Sequence, residues 1–526
     1  MKPSLVALML VLAVAATAGV GWEAPFTYDD KIEVIGSQAV RDFAHPQTIF
    51  AYNPARAVLL YTYAANWAFG AFDPRGYHAV SILLHAINAV LALGLLRRLL
   101  TPFRAALAAS IWALHPMTTE GVTYISGRSD ALVSTWFLLA TSWWIDDSRS
   151  PNLRKRVGVW IVAALALFTK EIAVGLPILL LAADGFLVSG GRWRLIAWRR
   201  YLPLGLLMFA AGTGRLWLLG WPVPEVPRTL GVHIVTQAEG WAMYLRLWLL
   251  PWGQSILHAL PATDSAVAIA CLVGVATTLA VALWKGGITA FGGLLWALPL
   301  AVSSAFVLKE TVAEHRAYLS GLGLWLVVVS LLPERRFLWA IPLVMAGLTV
   351  RRNLDWRDEA TLWSGATRVW PASADAWYGY GQALKFASRW EEAEAAMQRV
   401  VALAPTRVEA LDDIGITRVQ RRDDAGARAA WEEALRIRPG HCAALNNLAG
   451  LQARQGDRLA AASGYEGTLR MCPDDATAHL NLGFVYHSLR EQDRAIDHLQ
   501  AYLRVDPAGP YANRARAVLD RLGAKP

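Results

Sequence analysis

The sequence predicts an all-α protein in two parts, a bundle of about eleven membrane-spanning helices followed by a solenoid of helical repeats. Its 526 residues are 55% hydrophobic, include 24 Trp and have a mean hydropathy of +0.33. That is more apolar than a typical water-soluble domain. Long apolar runs alternate with short charged clusters up to about residue 351, and the chain then becomes polar and rich in Ala. The predicted domains are therefore residues 1–351 and 352–526.

The first apolar run, residues 4–20, fits two interpretations. It is a first span, or a signal peptide cleaved near Ala16-Thr17-Ala18. The other predicted spans are residues 76–96, 105–118, 131–145, 157–169, 174–188, 201–221, 266–284, 288–307, 318–332 and 337–350.

The charges of the connections predict the orientation. With the N-terminus in the cytoplasm, the inner connections are short and basic and the outer ones collect acids, as the positive-inside rule requires. An odd number of spans then places the chain after Arg352 outside. The net charge of +9 lies in clusters between apolar segments, not along one helix face, which excludes nucleic acid and favours a membrane-lipid environment.

The polar C-terminal part is a repeat array. Prolines recur every 34 residues, at Pro371, Pro405, Pro439, Pro473 and Pro507, which is the period of the tetratricopeptide repeat. Small residues keep the same register, namely Gly381, Gly415, Gly483, Ala393, Ala427, Ala461 and Ala495. We predict four full repeats over residues 375–507, a half repeat over 357–371 and a closing helix over 511–522. Such arrays present a concave groove for extended peptides or partner helices.

The Cys residues allow one further hypothesis. Cys442 and Cys472 lie near the beginning and the end of one predicted helical hairpin, so an oxidising exterior allows a disulfide between them. Cys271 lies within a span, where a lone Cys is usually a small hydrophobic residue.

Asp29 and Asp30 follow shortly after the first apolar run, just outside the membrane surface. Such a pair is either a solvated turn or a catalytic base with its support. The other outer connections add further ionisable residues, which near membrane depth point to function. They are Arg56, His78, His85, His115, Glu120, Arg128, Asp130, Lys170, Glu171, Glu310, Glu314, His315 and Arg316, with Arg215 in the outer half of its span.

Each of these residues also has a purely structural interpretation. His85 and His115 are compatible with packing, Lys170 and Glu171 with mutual neutralisation, and Arg215 with snorkelling to the headgroups. Their convergence on one side of the membrane, with acids and bases intermixed, favours a site for a phosphate-bearing substrate.

Seven stretches in this order resemble the TMTC family, the transmembrane and tetratricopeptide repeat O-mannosyltransferases of the GT-C class. They are Tyr28-Asp29-Asp30, Gly76-Tyr77-His78 to Leu84-His85, His115-Pro116 to Glu120 with Gly127-Arg128-Ser129-Asp130, Thr169-Lys170-Glu171, Arg215 to Gly220, Val312-Ala313-Glu314, and Arg352-Asn353 to Asp355-Trp356-Arg357. The chain departs from the family pattern at Glu314-His315-Arg316, at Leu319-Ser320-Gly321 and after Pro222. These departures concern the acceptor and the sugar more than the reaction class.

The resemblance implies a GT-C-like bundle that transfers a sugar from a polyprenyl phosphate to a hydroxyl of an exported protein. One direct displacement predicts inversion. Asp29 is then the base and Asp30 its support. Arg128, Lys170, Arg215, Arg316 and His115 are candidates for phosphate binding, and Glu171 and Glu314 for holding those cations. Arg56, His78, His85, Glu120 and Asp130 complete the expected substrate site.

No cofactor is expected, since the sequence offers no dedicated ligand spacing, although Asp29, Asp30 and Glu120 are possible oxygen ligands for Mg²⁺ or Mn²⁺. Three other functions stay open: a non-catalytic repeat scaffold, a lipid-linked sugar transporter, and a glycan ligase with a non-protein acceptor. A transporter requires charges near the bilayer midplane. The compact loops and lack of an obvious retention signal favour a bacterial inner membrane, with the active site and repeats in the periplasm.

Overall fold

The computed structural model describes residues 2–193, 196–219, 228–260, 265–308 and 310–525. Within these ranges the chain is helical and contains no strand, so the predicted all-α fold class is confirmed. The described residues divide into two compact units, residues 1–369 and 370–526.

The first unit is a helical bundle with a continuous apolar core, in which fully buried Trp112, Trp144 and Trp248 are among the largest side chains. Its helices are α1 (Pro3–Ala18), α2 (Pro46–Tyr52), α3 (Ala57–Gly70), α4 (Pro74–Leu96), α5 (Pro102–Ala113), α6 (Thr119–Val122), α7 (Arg128–Arg149), α8 (Leu153–Leu167), α9 (Leu176–Ala182), α10 (Leu202–Leu219), α11 (Leu230–Leu249), α12 (Ser265–Lys285), α13 (Gly287–Ser304), α14 (Tyr318–Leu331), α15 (Ala340–Asp355) and α16 (Glu359–Val369).

Five of the described helical segments are long and apolar enough to cross a membrane. They are Pro3–Gly21, Pro74–Leu96, Glu171–Val188, Ala266–Lys285 and Gly287–Ser304. Other predicted spans form shorter helices, such as α5 and α14, which have 12 and 14 residues. These segments give the first unit the character of an integral membrane protein.

Three of the predicted inner connections lie together at one end of the bundle, joined by ion pairs. Asp146 accepts from Arg98 at 2.9 Å and from Lys155 at 2.7 Å. The next residue is Asp147, and its carboxylate is paired with Arg156 and Arg200. The connections after α4, after α7 and before α10 are therefore on the same side.

Helix α11 occupies a stretch for which the sequence analysis predicted no helix. It contains Glu239 and Arg246, which lower its hydropathy. Its His233 ring is hydrogen-bonded to the Ser304 carbonyl at the end of α13, and its Tyr244 hydroxyl donates to the Ala313 carbonyl at 3.0 Å. Helix α11 therefore packs against the end of the bundle where the predicted outer connections lie.

The second unit consists of helical hairpins with the predicted 34-residue spacing. The pairs are α17 (Ala374–Phe386) with α18 (Trp390–Leu403), α19 (Val408–Gln420) with α20 (Asp424–Ile437), α21 (Cys442–Arg454) with α22 (Arg458–Met471), and α23 (Ala476–Leu489) with α24 (Gln492–Val505), closed by α25 (Ala512–Arg521). The four Ala residues of the repeat register are fully buried. The half repeat forms helix α16, which belongs to the first unit.

A disulfide joins Cys442 and Cys472, whose Cα atoms are 6.4 Å apart. It links the first residue of α21 to the residue after α22, where an antiparallel hairpin brings its two ends together. The hypothesis of a disulfide in this hairpin is confirmed.

Close packing at Gly415 gives a stability prediction. A Cβ atom there would lie 2.3 Å from Nε1 of Trp431. We expect Gly415→Ala to lower the free energy of unfolding by about 1 to 3 kcal/mol, because overpacking displaces the indole. Gly467→Ala in α22, whose nearest neighbour is the flexible end of Arg470, is the control and should stabilise by at most about 1 kcal/mol. Thermal unfolding of the full chain measures both changes, and an equally stable Gly415→Ala chain contradicts the packing argument.

Candidate active site

The adjacent carboxylates of Asp29 and Asp30 point in different directions. The residue before them, Tyr28, has a backbone φ of 51°, which lies in the left-handed region that residues other than Gly rarely adopt. Such a conformation costs free energy and persists when surrounding contacts determine it. As a result, Asp30 is buried and Asp29 is exposed.

Asp30 anchors the segment to the turn before α7. Its Oδ1 accepts from the backbone N–H of Ser126 at 2.7 Å and from the Ser126 hydroxyl at 2.6 Å. Its Oδ2 accepts from the backbone N–H of Thr27 at 3.1 Å. Burial raises the pKa of Asp30 to about 7, although these hydrogen bonds oppose the rise. Asp30 therefore holds this segment in place from a position shielded from solvent.

Asp29 lies at the wall of a polar cavity of about 200 Å³. Its backbone N–H donates to the hydroxyl of Tyr124 at 3.2 Å, which fixes the main chain there. The cavity is lined by Asp29, Glu33, Arg56, Tyr124, Ser126, Ser129, Lys170, Glu171, Ser303, Leu308, Glu310, His315 and Arg316. These residues come mainly from four of the predicted outer connections, so those connections converge on one space.

Three cations line this cavity. Lys170 forms a buried ion pair with Asp130, and Nη1 of Arg56 lies 3.2 Å from Oε1 of Glu33. Nη1 of Arg316 donates to the main-chain carbonyl of Glu310 at 2.7 Å. Among the described residues, Arg316 forms no ion pair with a carboxylate.

Glu310 connects the last outer loop to the first. Its carboxylate accepts from the hydroxyl of Tyr28, the residue in the left-handed conformation. Burial raises the pKa of Glu310, and also that of Glu33 across the same cavity. Both acids are therefore more easily protonated than usual.

Behind the cavity wall lies a pair of buried carboxylates, Glu120 and Glu314. Oε2 of Glu120 accepts from the backbone N–H of Glu314 at 3.0 Å, and Oε1 lies 2.7 Å from Nδ1 of His315. Burial raises the pKa of Glu120 to about 8, and the charge of Glu314 adds to the rise. Burial lowers the pKa of His315 to about 3. At neutral pH a neutral Glu120 thus faces a neutral imidazole at the edge of the cavity.

Glu314 is the ionised member of the pair. Its Oε1 accepts from the backbone N–H of Ser255 at 2.7 Å and lies 3.0 Å from Nε2 of His258. Arg352, at the end of α15, lies 3.8 Å away. Burial acts to raise the pKa of Glu314, but Arg352 and His258 outweigh it and hold that pKa below its ordinary value. Glu314 therefore ties the connection between α13 and α14 to residues 255–258 and to α15.

An apolar cavity of about 320 Å³ adjoins the polar one, and Glu171 lines both. Its other lining residues include Phe50, Phe168 and Arg215. A third cavity of about 730 Å³, almost entirely apolar, shares Phe50 and Phe168 with it. The polar cavity therefore continues into an apolar path on the surface of the bundle.

Eight of the predicted site residues line neither the polar cavity nor the one beside it. Asp30, Glu120 and Asp130 contact residues of the polar cavity wall, and Glu314 precedes one in the chain. The other four are His78, His85, His115 and Arg128. His78 is bonded to the Ala24 carbonyl, and His85 to the Tyr318 hydroxyl and the Ala113 carbonyl. His115 accepts from the Met117 N–H and packs on Trp248. The buried guanidinium of Arg128 donates to four neutral oxygens, on Ser81, Thr62, Asn66 and Tyr77. The hydrogen bonds that these four side chains form are to packing partners and not to residues that line the cavity.

Several residues of the site were given no individual role by the sequence. Tyr124, Ser126, Ser129, Glu33, Glu310 and His315 line the cavity, and Gln254, Ser255 and His258 hold Glu314. His315 and Glu310 stood within stretches recognised as charged outer loops. No sequence signal connected residues 254–258 with Glu314.

The described residues contain no group of three or more His, Cys, Asp or Glu side chains arranged to hold a metal ion. The positive charge in the cavity comes from the side chains of Arg56, Lys170 and Arg316. Gly220, the last residue of the family stretch that begins at Arg215, lies outside the described residues. Pro222 and the loop directly after it also lie outside them, and so do Arg194 and Lys309.

The fold and the site together define a class: an all-α integral membrane protein with charged connections around one cavity and a tetratricopeptide domain. A model of the tetratricopeptide repeat matches residues 344–408 and 451–513. The predicted repeats are confirmed.

Among curated proteins, the chain is similar to the protein O-mannosyl-transferase TMTC3 of Mus musculus, with 22% identity over 78% of this chain and 52% of that protein. It is 24% identical to Tmtc3 of Drosophila melanogaster over 69% of this chain and 50% of that protein. A shorter match to TMTC4 of Homo sapiens reaches 36% identity over 16% of this chain and 14% of that protein. The predicted resemblance to the TMTC family is thus confirmed, and the chain spans about half the length of the TMTC3 relatives.

Solved structures similar to this chain include YrrB, described as a tetratricopeptide protein with an unusual peptide-binding site. It is 18% identical and covers 33% of this chain and 87% of its own, with a TM-score of 0.25. MamA is 17% identical over 30% of this chain and 85% of its own, also with a TM-score of 0.25.

The buried carboxyl of Glu120 predicts a pH dependence of stability. In the folded chain it stays protonated up to about pH 8, whereas in the unfolded chain it ionises near its ordinary pKa of 4.5. Ionisation therefore favours the unfolded state increasingly between about pH 5 and pH 8. The Glu120→Gln chain does not undergo this loss of stability. The difference between its Tm and the wild-type Tm should therefore increase between about pH 5 and pH 8 and stay constant above that range. The exposed acid Glu334, changed to Gln, is the control, and a Tm difference that is constant or falls with pH contradicts the assignment.

Proposed function

We propose that this chain is an integral membrane glycosyltransferase. It moves a hexose, mannose by analogy with the names of its relatives, from a polyprenyl phosphate to a Ser or Thr hydroxyl of an exported protein. The observation that carries the proposal is a single one. The Asp29 carboxylate shares one cavity with Lys170, Arg56 and Arg316, and that cavity opens beside an apolar path.

Asp29 is the general base of the proposed step. The acceptor oxygen attacks the anomeric carbon and forms the new glycosidic bond. The bond between the anomeric carbon and the phosphate oxygen breaks, and its electron pair leaves with the polyprenyl phosphate. The hydroxyl proton passes to Asp29, whose main chain is held by Tyr124. A single displacement inverts the configuration at the anomeric carbon.

The cations of the cavity bind the phosphate. Arg56 and Arg316 provide forked donors, and Lys170 provides a point charge. Lys170 is itself held by Asp130, so its position is set before the donor binds. Charge that develops on the leaving phosphate is then stabilised by groups that need no rearrangement. The proposed reaction uses these side chains in place of a divalent metal ion.

The apolar cavities bind the first part of the polyprenyl chain. Arg215, at the wall of the nearer cavity, is close enough to interact with Glu171 and with a phosphate near the junction. Phe50 and Phe168 line both apolar cavities and connect them. A lipid whose head lies in the polar cavity thus has a continuous apolar path.

The site and the repeats face the exported side of the membrane, a bacterial periplasm. The disulfide between Cys442 and Cys472 supports this orientation, because such bonds persist in oxidising compartments. The repeats are proposed to bind the acceptor protein, as a solenoid groove suits an extended peptide.

Replacement of the base tests the function. We expect Asp29→Asn to lower transfer about 10²- to 10⁴-fold, the usual contribution of general acid–base catalysis. The measurement is mass spectrometry of Ser and Thr peptides of exported proteins. The control is Asp73→Asn, which changes an acid of the same predicted outer connection whose side chain is 40% exposed. If a hexose modification that depends on the wild-type chain persists in Asp29→Asn at equal membrane abundance, the assignment of the base is wrong. If the wild-type chain adds no hexose, the proposed function is wrong.

A glycine pair tests the lipid path. Gly212 lines the nearer apolar cavity, and Gly205 lies on the same helix outside it; a Cβ atom at either position meets nothing within 4 Å. We expect Gly212→Leu to raise the KM for a long-chain polyprenyl donor at least several-fold and to leave a short-chain donor unaffected. Gly205→Leu should change neither KM. Equal effects of the two substitutions contradict the proposed path.

A further inference from the structure

The segment from Thr27 to Lys31 carries Asp29, and its contacts come from several directions. Ser126 holds Asp30, Tyr124 holds the Asp29 main chain, and Glu310 holds the Tyr28 hydroxyl. These partners all belong to the outer connections of the bundle. One further contact comes from helix α16, which precedes the repeats in the chain.

Glu359, the first residue of α16, bridges the two ends of this segment. Its Oε1 accepts from the Thr27 hydroxyl at 2.9 Å, and its Oε2 accepts from Nζ of Lys31 at 2.7 Å. One turn further along α16, the Trp363 ring packs against the ring of Tyr28 at 5.9 Å between centroids. Helix α16 therefore contacts the residues on both sides of Asp29 and Asp30.

The contact between Glu359 and Lys31 matters more for the position of the segment than for the stability of the fold. The side chains of Lys31 and Glu359 are 38% and 16% exposed, and ion pairs of this kind contribute little stability. The segment between them, however, contains the left-handed residue Tyr28, a conformation that depends on its surroundings. Asp30 joins the segment to the turn before α7, and Glu359 joins its first and last residues, Thr27 and Lys31.

We propose that Glu359 is a positioning residue for the base Asp29, so that helix α16 is a functional part of the transferase site. This inference rests on the proposed function. Its consequence is that the catalytic unit extends through α16. A chain shortened before Glu359 loses transfer because Asp29 is misplaced, whether or not the repeats capture an acceptor.

The kinetic test uses the full chain. We expect Glu359→Ala to lower kcat about 10- to 100-fold with the KM for the donor unchanged within twofold, since small displacements of a reacting group have large effects on rate. The double variant Lys31→Glu with Glu359→Lys restores an ion pair of reversed polarity and should recover part of kcat. Arg368→Gln, in the exposed last turn of the same helix, is the control and should match wild type.

A second measurement does not depend on activity. Ile32 is exposed at the end of the segment, and a nitroxide on Ile32→Cys, in a chain with Cys271→Ala, reports its mobility by electron paramagnetic resonance. We expect Glu359→Ala to sharpen the spectrum, and Arg368→Gln to leave it unchanged.

The two readouts separate the possible failures. A reduced kcat with greater label mobility supports the positioning role. An unchanged spectrum overturns it, whatever happens to kcat, and so does an unchanged kcat in an active enzyme. If the wild-type chain transfers no sugar, the proposed function fails and the positioning role fails with it, while the spectrum still shows whether Glu359 holds the segment.

Discussion

The arrangement of the site depends on one local constraint, the anchoring of Asp30 by Ser126 and Thr27 beside a residue in the left-handed conformation. Two neighbouring carboxylates otherwise repel each other and share one environment. Here Tyr28 turns the chain so that Asp30 is buried among hydrogen-bond donors and Asp29 faces the cavity. The difference between the two acids is therefore set by the backbone, and residues from two other connections and from helix α16 hold that backbone in place.

The charged groups around the cavity form two shells with different tasks. Lys170, Arg56 and Arg316 reach the cavity, and acids or carbonyl groups fix each of them from the side or from behind. Breaking a buried pair such as Lys170 with Asp130 typically costs about 3 to 5 kcal/mol, because the remaining charge has no partner. Such a network fixes the positions of the cations, so that in the proposed reaction the phosphate meets preorganised donors.

The sequence predicted the repeats well because each repeat has the same packing requirement every 34 residues. Gly415 against Trp431 shows the constraint directly, since a side chain there would overlap the indole. The convergence of the outer loops was also predictable, because the positive-inside rule assigns a side to every connection. Helix α11 was missed because its polar residues, among them Glu239 and Arg246, hide a helix from a hydropathy criterion.

The roles of individual side chains were harder to predict. Arg128 has the charge expected of a phosphate ligand, but neutral oxygens of Ser81, Thr62 and Asn66 surround it. Glu359 was not predicted at all, because its partners Thr27 and Lys31 lie more than 300 residues earlier in the chain. Such long-range pairs depend on how helices pack, which a single sequence does not reveal.

The most direct test of the account is an experimental structure of the full chain with a polyprenyl phosphate bound. The account predicts a phosphate within hydrogen-bond distance of at least two of Lys170, Arg56 and Arg316, with the lipid chain lying against Phe50 and Phe168. A phosphate bound elsewhere, for example beside Arg156 and Arg200 at the opposite connections, would contradict it.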